Sequence, residues 1–386
     1  MSAIQHPQDI PPTPEAVAAS MKPCVGFSYV GAHRHVTEQY LSEAFDPKHS
    51  IHFDLQLFKP NVSVLRLLDV ARNRRETASV FAHLVDTPAL PHDLQICPIQ
   101  TASLDIDSFW WTSSRIRWSL LFDFAFVWHK SMVPLYKAAG HPNVIALSHA
   151  VDANVFRMAV QNNPARIFDV GWVGGFGYAQ HARRRRIIKA LATRFKLNDF
   201  QKLHSKEETA EIYSQSKIVI NVSRDEFPSE ANMRCYEGMA GGALLITQIP
   251  TELTDWGFRE GEHFIGWRDE SEIAEKVHHY LSHEKERQEI ARAGQELTLQ
   301  EFTFQRCRDK MLEVFREHPN QFLAPARNWP VEDVSLVYLE YYYRFQAVGA
   351  ALEEFSILKN ASRKGYRKGL PMILKTLRHS VKRAFF

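Results

Sequence analysis

Between Ile218 and Thr247 the chain reads IVINVSRDEFPSEANMRCYEGMAGGALLIT, and this stretch constrains the fold more than any other. Ile218–Val222 and Ala243–Thr247 are two apolar runs of strand length. Between them, Pro228 and Ser229 precede a helical segment, and Gly241-Gly242 can end it because glycine takes the left-handed C-cap conformation cheaply. Two buried strands joined by a helix make a parallel βαβ unit. In such sheets ligands sit beyond the carboxyl ends of the strands, which gathers Ser223, Arg224, Asn232, Arg234 and Glu237 at one edge. The cations suit a diphosphate and the carboxylate suits a vicinal diol.

A chain of 386 residues is too long for one ordinary core, so two domains are expected. The net charge of +3 hides an asymmetry: residues 359–386 hold nine Lys or Arg and no acid. The rest holds 38 basic and 44 acidic residues, which excludes a general nucleic-acid binder. The four cysteines are scattered with no CxxC, which points to reduced thiols in the cytoplasm rather than to a metal or redox pair. The opening MSAIQHPQDIPPTPEAV lacks the basic and apolar regions of a secretory signal, and the richest apolar run, Leu120–Trp128, is too short to span a bilayer.

The pattern predicts a loose Pro-rich leader over 1–22 and an α/β domain over 23–160 with a mainly parallel sheet. Its strands are expected near 24–30, 52–58, 81–86, 123–128 and 143–147. Helices are expected over 36–45 and 132–139, mixed helical signals over 64–72 and 75–81, and a linker near 154–165. A second α/β domain spans 161–320, opening on the strand at 167–174 and closing on helices over 270–282 and 284–300. After about Phe322 the aromatic-rich segment 331–355 reads as one or two helices packing back across the domain junction, within a helical extension over 321–386. In its tail, Leu370, Ile373, Leu374, Leu377, Val381 and Phe385 share one helical face beside Lys375, Arg378, Lys382 and Arg383. That suits an anionic membrane surface, the alternative being a helix docked on its own domain.

The run VGWVGGFGYAQ resembles a dinucleotide fingerprint but has Gln180 where the third glycine belongs, so no nicotinamide cofactor is inferred. Gly174 and Gly175 can still let backbone N–H groups approach a phosphate. In the HARRRR run that follows, a helix cannot aim four consecutive arginines at one point; Arg185 or Arg186 is the better placed to reach phosphates. His33 follows the first strand and Asp86 ends a later one, so either can serve as a base toward a shared cleft. The plainer alternatives are a surface His and a turn-capping Asp. For Glu237 the alternative is a solvated helix face, and for Arg234 intrahelical ion pairs.

The pieces EIYSQSKIVINVSRDEF, NMRCYEGMAGGALLIT, PTELTDWGFREGEHFIGW and EKERQEIARAGQELTLQEFTFQRC, in this order from Glu211 to beyond Cys307, resemble the C-terminal half of group-1 glycosyltransferases of the spore-maturation (CgeB-like) type. Val85–Pro88, FDFAFVWHKSMVPLYKAAG and NVIALSHAVDANVF resemble the N-terminal half of that family more faintly. The resemblance implies a GT-B fold: two Rossmann-like domains facing a cleft, here with a helical C-terminal extension. It implies transfer of a sugar from a nucleoside diphosphate sugar, without a cofactor or metal, to a glycan, lipid-linked or protein acceptor. By the same resemblance the ribose-binding glutamate falls on Glu237, the Asn-x-Arg on Asn232 and Arg234, the strand-end pair on Ser223 and Arg224, and the glycine turn on Gly174 and Gly175. The first glutamate of the broader group's Glu-x7-Glu pair is not carried over, because Glu230 and Glu237 are seven apart and position 229 is Ser. An epimerase on the same architecture and a non-catalytic subunit are the other two readings of the chain.

Overall fold

Strands whose side chains are buried on both faces form parallel sheets covered on each side, and this chain builds two of them. The computed structural model describes residues 25–29, 50–85, 87–175 and 181–384, with backbone alone for 25–29, 50 and 379–384. The leader, the helix expected over 36–45, His33, Asp86 and residues 176–180 lie outside the described residues.

The first sheet has the order β2 (Ser50–Asp54), β1 (Val25–Tyr29), β3 (Val80–Leu84), β4 (Gln100–Asp105), β5 (Phe124–Val127), β6 (Val144–Ala146), with every pairing parallel. Alternation along β5 sends Phe124 and Phe126 to one core and Ala125 and Val127 to another. Among the described residues, the helices of this half are α1 (Val64–Asn73), α2 (Thr112–Ser119) and α3 (Val133–Ala138).

The segment read as a linker is helix α4 (Ala153–Asn162), started by Asp152, whose carboxylate accepts from the N–H groups of Asn154 and Val155. The strand expected over 52–58 stops at Asp54, which caps a 3-10 turn at Leu55–Leu57. The mixed signals over 75–81 resolve into a turn with Arg75 at positive φ, followed by β3.

The second sheet runs β10 (Ile265–Trp267), β9 (Leu244–Gln248), β8 (Ser216–Ile220), β7 (Phe168–Gly171), again all parallel. Ile218 and Ile220 of β8 face one core with α5 (Ala182–Ala192), and Val219 faces the other with α6 (Lys206–Ser214) and α7 (Met233–Ala240). Gly241 caps α7 and Gly242 follows at φ +70, so the β8–α7–β9 unit forms as its sequence predicts. Helices α8 (Ser271–Ser282) and α9 (Glu284–Glu301) complete this half.

The chain then returns to the first sheet. Val151 N donates to Phe302 O and Phe304 N donates to Val151 O, and α10 (Phe304–Glu317) lays Phe304, Met311 and Phe315 against Phe124 and Phe126. The aromatic segment forms two helices, α11 (Val331–Arg344) and α12 (Val348–Ala361), which pack on the first half with α13 (Arg363–Ala384). Three tyrosines explain that choice, since burying a phenol requires a partner for its hydroxyl. Tyr341 donates to Thr87 O at 2.6 Å, Tyr342 donates to Leu90 O at 2.9 Å, and Tyr338 accepts from Leu94 N. No helix among the described residues is long and apolar enough to cross a membrane.

Candidate functional site

Three guanidinium groups meet where β7 and β8 end. Beyond β7 the chain continues through Trp172, Val173, Gly174 and Gly175; beyond β8 it continues through Asn221 to Arg224. Arg234, in the first turn of α7, lies 3.8 Å from the ring centroid of the fully buried Trp172. Its Nε donates to Val173 O and its Nη1 to Asn221 Oδ1, each at 3.0 Å. The remaining nitrogen lies beside Gly174, where a β-carbon would strike it. Arg184, in α5, donates from Nε and Nη2 to Val222 O at 3.1 and 2.9 Å and also faces Trp172. Arg224 lies over Phe109 and Trp110 of the first half, 5.1 and 5.9 Å from their centroids.

One carboxylate sits among these cations. Glu230 is buried, its Oε2 is 3.9 Å from Arg224 Nε, and that oxygen has no hydrogen-bond partner. Burial, reinforced by Arg234, pushes the Arg184 guanidinium down to about 9. Burial and the neighbouring Arg184 and Arg224 lower His181. The site therefore holds unbalanced positive charge in a poorly solvated place, the condition under which an anion binds strongly.

Glu237 sits three residues after Arg234 on α7, partly exposed and without an ion pair or side-chain hydrogen bond among the described residues. Burial pushes its carboxyl up to about 7 against the opposing pull of Arg234. The folded value lies above the ordinary 4.5, so its protonated form favours the folded state. That contribution is complete below the unfolded value and is lost as the pH rises through the folded one. A carboxylate used to accept two hydroxyl hydrogen bonds must be ionised, so that use would carry the opposite pH dependence. We expect the affinity for a sugar nucleotide to fall about tenfold from pH 8 to pH 6 as Glu237 protonates, a dependence absent in Glu237→Gln and readable by calorimetry. A sugar nucleotide is the right probe because its phosphates do not titrate near pH 6 as a terminal phosphate does.

The first half closes over this edge. His129, just past β5, is buried, and its Nδ1 lies 2.8 Å from Glu252 Oε2. Ser131 Oγ donates to Glu252 Oε1 at 2.6 Å, and Lys130 Nζ donates to Asp255 O. A carboxylate only accepts, so Nδ1 carries the proton and Nε2 is left without a partner. Around it stand Phe109, Phe227 and His149, at ring distances of 5.3, 5.0 and 5.9 Å. Burial and the neighbouring His129 push His149 down to about 3, so it is neutral at physiological pH. Phe227 reaches across from the second half to stack on Phe109 at 5.1 Å. Behind that loop, Arg115 fixes Trp110 through its carbonyl at 2.7 Å and pairs with the buried Asp105.

The residues singled out in the sequence divide as follows. Arg224, Arg234, Glu237 and Gly174 lie at this edge. Gly175 is exposed beside it. Ser223 is buried and donates to Glu230 O; Asn232 caps α7 and donates to Asn221 Oδ1. Arg186 points outward and pairs with Glu270, and the arginine of that run that turns inward is Arg184. The helix phase carried this signal, because Arg184 shares a face with the buried Ile188 and Leu191. The sequence reading also passed over Trp172, Phe109 and the His129–Glu252 pair, whose members are 123 residues apart.

A family model described as glycosyl transferase-like matches residues 183–313, which hold α7 and its flanking strands. No curated protein sequence matches the chain. Among solved structures, Anabaena HepE in complex with UDP is similar, with a TM-score of 0.55 and 12% identity over 77% of this chain and 100% of that one. Sucrose-phosphate synthase from Thermosynechococcus elongatus has a TM-score of 0.53 and 12% identity over 76% and 98% of the two chains. A glycosyltransferase from Rickettsia africae has a TM-score of 0.53 and 11% identity over 78% and 100%. At such identities the likeness is one of fold: this chain has the two-sheet α/β architecture of GT-B proteins, with a helical C-terminal region.

Proposed function

We propose that the chain is a glycosyltransferase of the group-1, CgeB-like type, moving a sugar from a nucleoside diphosphate sugar to a glycan, lipid-linked or protein acceptor. The observation that carries this reading is the convergence of Arg184, Arg224 and Arg234 at the ends of β7 and β8, with the buried Glu230 beside Arg224. Transfer breaks the bond between the anomeric carbon and the diphosphate oxygen, and the electron pair leaves with the diphosphate. The acceptor oxygen forms the new bond and gives up its proton. The largest developing charge is thus on the leaving group, and fixed cations in a dry site stabilise it without reorganising. Because three guanidiniums supply that charge, the reaction is proposed to need no metal and no cofactor.

In this reading Glu237 accepts hydrogen bonds from the ribose hydroxyls, Arg234 and Arg224 contact the diphosphate, and Gly174 leaves room for the Arg234 guanidinium. His129, held by Glu252, is the described group placed to take a proton or to hold a sugar hydroxyl through Nε2. His33 and Asp86 are the other groups proposed for the proton. His129→Ala should lower turnover, read as nucleotide release, by about 10²–10⁴-fold while a sugar nucleotide still stabilises the protein. A variant that releases nucleotide at the wild-type rate would remove His129 from the mechanism. The first donor to test is a UDP-sugar, since the similar Anabaena protein is described with UDP and with UDP-glucose. A peripheral location at the cytoplasmic membrane's inner face belongs to the same proposal, given the nine cations of 359–386.

A further inference from the structure

The amphipathic pattern of the tail is not deployed as its sequence suggests. Gly365, Gly369, Ile373 and Thr376 are buried along one face of α13. Gly369 packs so closely that a β-carbon there would stand 3.0 Å from Leu339 of α11 and 3.1 Å from Leu358 of α12. That contact fixes the rotation of the helix. The face it turns outward carries Arg363, Lys364, Arg367 and Lys368, followed by exposed Leu374, Leu377 and Arg378.

Two concavities adjoin on this face. One, of about 410 Å³, is lined by Arg363, Lys364, Arg367 and Lys368 alone. None of these four pairs with an acid among the described residues. The other is a groove of about 590 Å³ with Trp329, Leu336, Val337 and Met372 as its apolar walls. Its rim carries Asp333 and Glu340, the latter held by Arg117 and by Ser114. Lys368 belongs to both, so an all-cationic cradle opens onto an apolar groove of the size that takes small molecules. A free phosphate needs no groove, and an apolar chain needs no cations; an amphiphile with an anionic head uses both.

We propose that α13 and the groove beneath it form a binding site for an anionic phospholipid of a bilayer surface. The headgroup phosphate lies among the four cations, an acyl chain enters past Lys368 to Trp329, and Leu374 and Leu377 dip into the interface. This site is distinct from the guanidinium cluster at β7 and β8, and each can fail without the other.

The test uses the full chain with phosphatidylcholine vesicles, alone or mixed in equal parts with phosphatidylglycerol. Sedimentation should show binding only to the mixed vesicles. Each cation near an anionic surface is worth roughly fivefold in partition, so changing all four to Ser should lower binding by at least about a hundredfold. Phosphatidylglycerol brominated in its acyl chains should quench part of the tryptophan emission, and Trp329→Phe should remove that part. Equal binding to uncharged vesicles, unchanged binding by the four-Ser variant, or displacement by inorganic phosphate at matched ionic strength would overturn the proposal. An unchanged quench in Trp329→Phe would do the same for the groove. A melting shift of the four-Ser variant by a sugar nucleotide, equal to that of the wild type, shows that it is folded and keeps the donor question separate.

Discussion

Arg234→Met should weaken the binding of a sugar nucleotide by about 30- to 1,000-fold, since removing one member of a buried charge contact costs about 2–4 kcal/mol. Arg234 is the most constrained of the three cations. It is stacked on Trp172 and fixed by two directional bonds to Val173 O and Asn221 Oδ1, with one nitrogen left toward Gly174. Arg234→Lys should restore little, because an ammonium cannot make two fixed bonds and still present a third donor in the same plane. Calorimetry reads the affinity, and a cooperative melt confirms that each variant is folded. Wild-type affinity in a folded Arg234→Met would mean that the cluster is not where the diphosphate binds.

The second large effect concerns how the extension is held. Asp123 is fully buried at the start of β5, and Arg327 meets it through Nε and Nη2, each bond 3.0 Å. The same carboxylate accepts from Thr101 N and from Ala324 N, so it ties β4, β5 and the segment before α11 together. Arg327→Met leaves that charge buried without its counterion and should destabilise the fold by about 3–5 kcal/mol. Denaturant titration should show the loss, and adding Asp123→Asn should recover part of it, because the two sites are coupled. A midpoint equal to wild type would show that the Thr101 and Ala324 bonds suffice without the cation.

The β8–α7–β9 unit was legible because its determinants are local, two β-rich runs and a glycine stop, although its helix starts at the Asn232 cap and not directly after Pro228 and Ser229. It brought Arg224, Arg234 and Glu237 to one edge from spacing alone. Strand β4 was not legible, since QTASLD has little apolar pattern; its polar side chains are buried because Thr101 bonds Asp123 from a neighbouring strand. Helix α4 was hidden by the breakers at and after its end, Asn162, Asn163 and Pro164, which pulled the whole segment toward a linker. In the tail, hydrophobic spacing showed that α13 has an apolar face, but not that close glycine packing on α11 and α12 would bury Ile373 and leave Leu374 and Leu377 exposed. The pairing of His129 with Glu252 depends on how the halves approach, which no local pattern encodes.

The most direct test of the central claim is the melting temperature of the purified chain with a panel of UDP-, GDP-, ADP-, CMP- and dTDP-sugars, with and without chelator, for the wild type and for Arg184→Met with Arg234→Met. A ligand at a hundred times its dissociation constant stabilises a protein by about 2.7 kcal/mol, a shift easily read. The account predicts that one nucleotide class stabilises the wild type equally with and without chelator, and that the double variant, though folded, loses the shift. Stabilisation that persists in the double variant, or that requires a metal ion, would contradict it.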